Sequence, residues 1–89
     1  MSETSKIEEL LGLRSALGFT QDRMAREIDL SLREYQAFEW GETEIPDLYL
    51  RALERIAIRY AVHLEDPRLV PQPLREEVLK LARIMVAST

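Results

Sequence analysis

The sequence predicts an all-α fold of five helices, and three observations point there. Apolar residues recur at spacings of three and four. Strand patterning is missing, with only Val62 and Val70 as valines before residue 78. Polar cap residues, glycines and prolines punctuate the chain where such helices should start and stop. At 89 residues the chain is expected to be one domain, burying roughly 60–65% of its unfolded surface in a single core.

The first helix is expected over residues 6–17. Ser5 would cap it, Glu8 would complete a capping box, and Ile7, Leu10, Leu11 and Leu17 supply its apolar stripe. Gly18 ends it as a left-handed cap. The second, residues 21–28, has Thr20 as N-cap and a staple from Phe19 to Met24, with Met24, Ala25 and Ile28 turned inward. The third, residues 32–40, has a Ser31/Glu34 capping box, a Leu30/Tyr35 staple and a stop at Gly41. The fourth, residues 48–64, opens at Pro46 and Asp47, and Glu44 or Asp47 is a candidate cap. Its face is Leu48, Ala52, Leu53, Ile56, Ala57 and Tyr60. Pro67, Pro71 and Pro73 then break the chain, making 65–72 a stiff connector. The fifth helix is expected over residues 74–87, with Pro73 suited to its first turn. Leu74, Val78, Leu81 and Met85 follow at intervals of 4, 3 and 4, a coiled-coil-like seam about two heptads long. The organisation is thus a main domain over 1–64, a Pro-rich connector over 65–72 and a C-terminal helix over 73–89.

Composition excludes several functions. With no cysteine there is no disulfide, zinc finger or thiol catalysis. No apolar run approaches a membrane span, and MSETSKIEE is too polar for a signal peptide, so a cytoplasmic protein with no membrane partner is expected. His63 stands alone and reads as a helix-end residue favourable to the dipole. No serine, histidine or carboxylate set makes a catalytic group, so neither an enzyme nor a cofactor or metal is expected. Net charge is −4, and residues 1–60 carry all of it, with 8 basic and 12 acidic side chains. Residues 61–89 hold four of each.

The run from Leu17 to Gly41, LGFTQDRMAREIDLSLREYQAFEWG, carries a further signal. Leu17-Gly18-Phe19-Thr20-Gln21 with Met24-Ala25, then Ile28, Leu30-Ser31, Tyr35, Phe38-Glu39 and Gly41, resembles the helix-turn-helix of the Cro/C1-type phage repressor family. Ile45-Pro46 and Leu53 through Ala57 resemble that family's fourth helix. The resemblance covers roughly residues 6–60 and implies a lambda-repressor-like fold with an extra C-terminal helix. It also implies double-stranded DNA as partner, and a prokaryotic or phage transcription regulator. Ala25 is the small residue that lets the two helices cross closely. Where most family members have glycine in the turn, this chain has Asp29, which tolerates the left-handed region better than most residues.

The resemblance implies site residues. Arg14 and Glu39 occupy the positions of a structural ion pair. Gln21 opens the second helix, where related repressors bond a backbone phosphate; Arg23 and Ser31 are further phosphate candidates. With Tyr35 and Phe38 buried, the outward side of the third helix carries Leu32, Arg33, Gln36, Ala37 and Trp40. Arg33 is suited to guanine O6 and N7, Gln36 to adenine, and Leu32 and Ala37 to thymine methyls; an ordinary solvated face is the competing reading. Trp40 is expected as a half-buried packing residue and Glu34 as a structural cap. Arg51, Arg55 and Arg59 are expected to solvate the fourth helix or pair with Glu54 and its neighbours. Gly41-Glu42-Thr43-Glu44-Ile45-Pro46-Asp47 departs from strongly binding relatives, which place basic residues there, and Glu42 has no local role to explain it.

Two functions remain open from sequence. One is a sequence-specific DNA-binding regulator that reads an inverted repeat as a homodimer through Leu74, Val78, Leu81 and Met85. The other is an antitoxin-like or anti-repressor module that keeps the fold, binds DNA weakly or not at all, and meets a protein partner. The fifth helix either dimerises or folds back on the fourth or first.

Overall fold

A computed structural model describes residues 3–88, with side chains from residue 5. These residues form α1 (Glu3–Leu17), α2 (Gln21–Glu27), α3 (Leu32–Glu39), α4 (Asp47–Leu64) and α5 (Gln72–Ser88), with one 3-10 turn at Pro67–Leu69. The all-α, five-helix expectation holds among them, and none of these helices is long and apolar enough to cross a membrane.

Helix starts follow local chemistry at two of the expected places. The Thr20 hydroxyl accepts the Arg23 amide at 3.1 Å. At α3 the Ser31 hydroxyl accepts the Glu34 amide at 3.1 Å while the Glu34 carboxylate accepts the Ser31 amide at 2.9 Å, a complete capping box. Two other starts differ from expectation. α1 is described from Glu3, so Ser5 lies inside the helix rather than at its cap; a cap signal permits a helix start without excluding an earlier one. α4 has Pro46 at its N-cap with no side-chain cap. Glu44 and Asp47 turn instead to Lys6 Nζ, at 3.7 and 3.3 Å, and Lys6 also donates to the Ile45 carbonyl at 3.1 Å.

Helices α1 to α4 all end in one motif. After each last turn a residue takes positive φ: Gly18 at 71°, Asp29 at 58°, Gly41 at 74° and Glu65 at 52°. The next amide reaches back five residues, as in Phe19 to Arg14 at 3.3 Å, Leu30 to Ala25 at 2.9 Å, Glu42 to Ala37 at 2.9 Å and Asp66 to Ala61 at 2.9 Å. This Schellman arrangement satisfies carbonyls that the helix leaves without partners.

The core gathers Leu10, Leu13 and Leu17 of α1, Met24 and Ala25 of α2, Tyr35 and Phe38 of α3, Ile45, and Leu50, Leu53 and Ala57 of α4. Phe19, Ile28 and Leu30 pack against it as partly buried residues. Two leucines are out of phase with the expected stripes. Leu11 is 39% exposed and Leu48 is 75% exposed. Leu13 and Leu50 take the buried places, because Leu10, Leu13 and Leu17 and then Leu50, Leu53 and Ala57 keep the i, i+3, i+7 spacing that holds one helical face to the core.

The base of α5 packs back and the rest projects. Leu74 lines a cleft with Gly12 and Leu13 of α1, and Val78 lines another, of about 430 Å³, with Ile58, Ala61 and Val62 of α4. The Arg75 guanidinium pins this base by donating to the Val70 carbonyl at 3.2 and 2.9 Å. From residue 79 to 88 every residue is exposed. The radius of gyration is 14.0 Å, against about 12 Å for a compact chain of this length.

Candidate nucleic-acid interface

Ala25 is 1% exposed and lets α2 and α3 approach closely, and Asp29 in the left-handed region turns the chain between them. Tyr35 and Phe38 fix one side of α3 to the core, so the opposite side faces outward. There Leu32 and Arg33 are exposed, and Gln36 and Ala37 are half-buried. The four expected base-reading residues therefore share one solvent-facing row. Trp40 corrects its expectation: it is 57% exposed rather than half-buried, because it falls at the end of α3, past the last turn that the core covers.

A polar chain runs from the core to this row. The Glu39 carboxylate, with its side chain only 4% exposed, accepts from Arg14 Nε at 2.7 Å and from Arg14 Nη2 at 3.3 Å. It also accepts from the Tyr35 hydroxyl at 2.5 Å and from Gln21 Nε2 at 2.8 Å. Gln21 in turn accepts from Gln36 Nε2 at 3.2 Å. Burial pushes the Glu39 carboxyl up, but the donors from Tyr35, Gln21 and Arg14 outweigh it and hold the group below the usual carboxylate range. Burial, then the bond to Glu39, raises the Tyr35 phenol. Arg14 and Glu39 thus form the ion pair that the resemblance implies, and Gln21 couples it to Gln36. Gln36 keeps its carbonyl oxygen and a second amide N–H to offer outward.

The other phosphate candidates stand differently. The Ser31 hydroxyl caps α3 yet keeps its own proton to donate. Arg23 is turned towards α4: its Nε pairs with Glu27 at 2.8 Å, its Nη2 donates to the Tyr60 hydroxyl at 2.5 Å, and its guanidinium lies 4.4 Å from the centre of the Phe19 ring. Arg26 pairs with Asp22 at 2.8 Å. On α4, Arg51 pairs with Glu9 at 2.7 Å and Glu54 at 3.2 Å, which agrees with a role on the outer face of that helix.

Glu42 has a partner that the sequence did not suggest. Arg33 Nη2 lies 2.6 Å from Glu42 Oε1, and the Arg33 guanidinium sits 5.7 Å from the centre of the Trp40 ring. The amides of Glu42 and Thr43 both donate to the Ala37 carbonyl, at 2.9 and 3.3 Å, which holds this acid beside the end of α3. Nine residues separate the pair, beyond any helical spacing that a sequence reading would test.

Among the described residues no group of three or more His, Cys, Asp or Glu is placed to hold a metal. His63 is exposed in the last turn of α4. Compared with family models, curated proteins and solved structures, the chain matches none of them.

Proposed function

We propose that the chain is a sequence-specific double-stranded DNA-binding regulator that lays α3 in the major groove, as the Cro/C1-type family it resembles does. The observation that carries this reading is the outward row of Leu32, Arg33, Gln36 and Ala37, with Gln36 held through Gln21 to the buried Glu39. A reading surface needs donors and acceptors fixed before they meet base edges, and Gln36 has that fixation. Gln21 and Ser31, at the N-termini of α2 and α3, are the phosphate contacts. The exposed pairs of Arg26 and Arg33 weigh little against this reading, because such pairs contribute about 0–1 kcal/mol and exchange for phosphate at small cost. A homodimer joined through α5 would present two copies of α3 about 34 Å apart, one helical turn of duplex.

A second reading is favoured by two observations. Glu42, Glu44 and Asp47 are all exposed between α3 and the start of α4, and α5 carries exposed apolar residues beyond its base. A module that meets a protein partner, antitoxin-like or anti-repressor, has use for both. Selection from a random duplex pool separates the two. A regulator enriches a palindrome and shows retardation that weakens steeply as salt rises. The interaction module enriches nothing and leaves random duplex unretarded at low salt. For the regulator, Arg33→Ala weakens binding to the enriched site by about 1–3 kcal/mol and relaxes the preference at one base pair. An unchanged preference would remove Arg33 from the reading surface.

A further inference from the structure

The contact between Arg33 and Glu42 faces the same solvent as the proposed reading row, and it gives Glu42 a function. We infer that Glu42 is a built-in competitor that sets the affinity of the proposed reading row: an anion that occupies the Arg33 guanidinium and must be displaced before Arg33 engages a duplex. The inference rests on the DNA-binding reading.

Three features make the contact more than a chance surface pair. The first is geometry, with Arg33 Nη2 at 2.6 Å from Glu42 Oε1 and the guanidinium beside the Trp40 ring. The second is preorganisation. Gly41 at φ 74° turns the chain, and the bond from the Glu42 amide to the Ala37 carbonyl fixes the backbone that carries the acid. The third is exposure: the side chains of Arg33 and Glu42 are 66% and 46% exposed, so a phosphate or guanine edge can reach the guanidinium and compete with the carboxylate.

Competition of this kind affects ligands unequally. A lone phosphate oxygen replaces one carboxylate contact with another anionic contact and gains little. A guanine presents O6 and N7 at a fixed spacing that the planar guanidinium matches with two donors. Breaking the contact costs the same for either ligand, so the penalty is felt in full where guanine engages Arg33 and only in part where a lone phosphate leaves the pair in place. Glu42 thereby tempers every complex that uses Arg33 through one specific contact, and not only as part of a repulsive surface.

The test compares wild type, Glu42→Gln, Glu44→Gln, Arg33→Ala and the Arg33→Ala/Glu42→Gln double variant. Each is titrated with random-sequence duplex and with the duplex enriched by selection, across a salt series. Glu42→Gln should bind random duplex about threefold to fivefold more tightly, the range an exposed pair commands. Its gain on the enriched duplex should be at least as large, and its salt slope on random duplex steeper by about 0.9 for the one additional cation engaged. Glu44, which pairs with Lys6 rather than Arg33, supplies the control for plain repulsion. An equal gain in Glu44→Gln, or a gain that persists on the Arg33→Ala background, overturns the inference. So does unchanged affinity in Glu42→Gln when wild type binds. Emission from Trp40, the one tryptophan of the chain, checks the contact without DNA. It should change in Glu42→Gln and in Arg33→Ala, with no further change in the double variant. If emission follows that pattern but no protein retards duplex at low salt, the contact stands, while the DNA reading and the role given to Glu42 both fall.

Discussion

Glu39 is the residue on which the interior and the outward face both depend. Its carboxylate gathers donors from Arg14, Tyr35 and Gln21, which come from α1, from α3 itself and from the start of α2. Arg14→Ala removes the cation and leaves a nearly buried anion on two neutral donors. The expected loss is about 1–3 kcal/mol in urea unfolding, more than an exposed pair would show. Titration provides an independent check. The Glu39 carboxyl is held below its ordinary value, so its contribution is present above the unfolded value of about 4.3 and is lost as pH falls through the folded one. Glu27 acts in the same direction, because the bonds from Arg23 and Tyr60 outweigh the burial that raises it. Glu54, raised chiefly by burial, opposes both. Tyr35 has the other sign. Its phenol is raised, so its contribution is complete below about pH 10 and disappears as pH climbs above the unfolded value. Melting temperatures measured from pH 3 to pH 11 should therefore fall at both ends. Glu39→Gln should flatten the acid limb and Tyr35→Phe the alkaline limb. An acid limb unchanged in Glu39→Gln would remove that residue from the account.

At the scale of the element, two of the four left-handed helix ends are not glycine. A non-glycine residue there bears a strain of order 1 kcal/mol, and less for aspartate than for most. Asp29→Gly and Glu65→Gly each relieve that strain and each enlarge the unfolded ensemble, the second effect being about 0.4–1 kcal/mol. Glu65→Gly should gain the more stability because glutamate tolerates φ of 52° less well than aspartate tolerates 58°. Asp29→Val should lose more than either gains, and thermal melts rank the three. Ser31→Ala, which opens the capping box, should cost about 1 kcal/mol. These ends also show what was legible in the sequence. Thr20, Ser31, Gly18, Asp29 and Gly41 were readable because a cap uses residues within one turn of itself. Ser5 is the exception, because a cap signal permits a helix start without excluding an earlier one. Leu48 and Leu50 were exchanged because alternate leucines fit more than one phase, and the core decides between them. In the candidate site the outward row of α3 followed from periodicity. The donors from Arg14 and Gln21 to Glu39 act over 25 and 18 residues. Of these, Arg14 was anticipated only through a family resemblance, and Glu42 opposite Arg33 was not anticipated at all.

For the whole molecule, the distal half of α5 is the largest exposed apolar feature of the helices. Leu79, Leu81, Ile84, Met85 and Val86 are each between 49% and 74% exposed; Leu79 still borders the cleft against α4, and from residue 80 to 88 every residue is exposed. A lone helix of about ten residues is marginal in water, so the segment needs a surface to stay folded. The seam anticipated over Leu74, Val78, Leu81 and Met85 is divided in the structure: its first two members are half-buried against their own domain and its last two are open. A homodimer using this helix must therefore join at the distal half, with the base held by Arg75 on Val70. Leu81→Asp combined with Met85→Asp puts two charges on that half and touches no core residue. Sedimentation equilibrium should then report the mass of one chain where wild type reports two, and helicity should fall by the length of the freed segment. The regulator reading adds a linked expectation, because two half-sites bound by one dimer lose their mutual reinforcement when the dimer separates. The double variant should keep its contacts to a single half-site yet bind the full palindrome no better than that half-site. An unchanged mass would assign the distal half of α5 to a different partner and leave α3 without the two-fold partner that an inverted repeat requires.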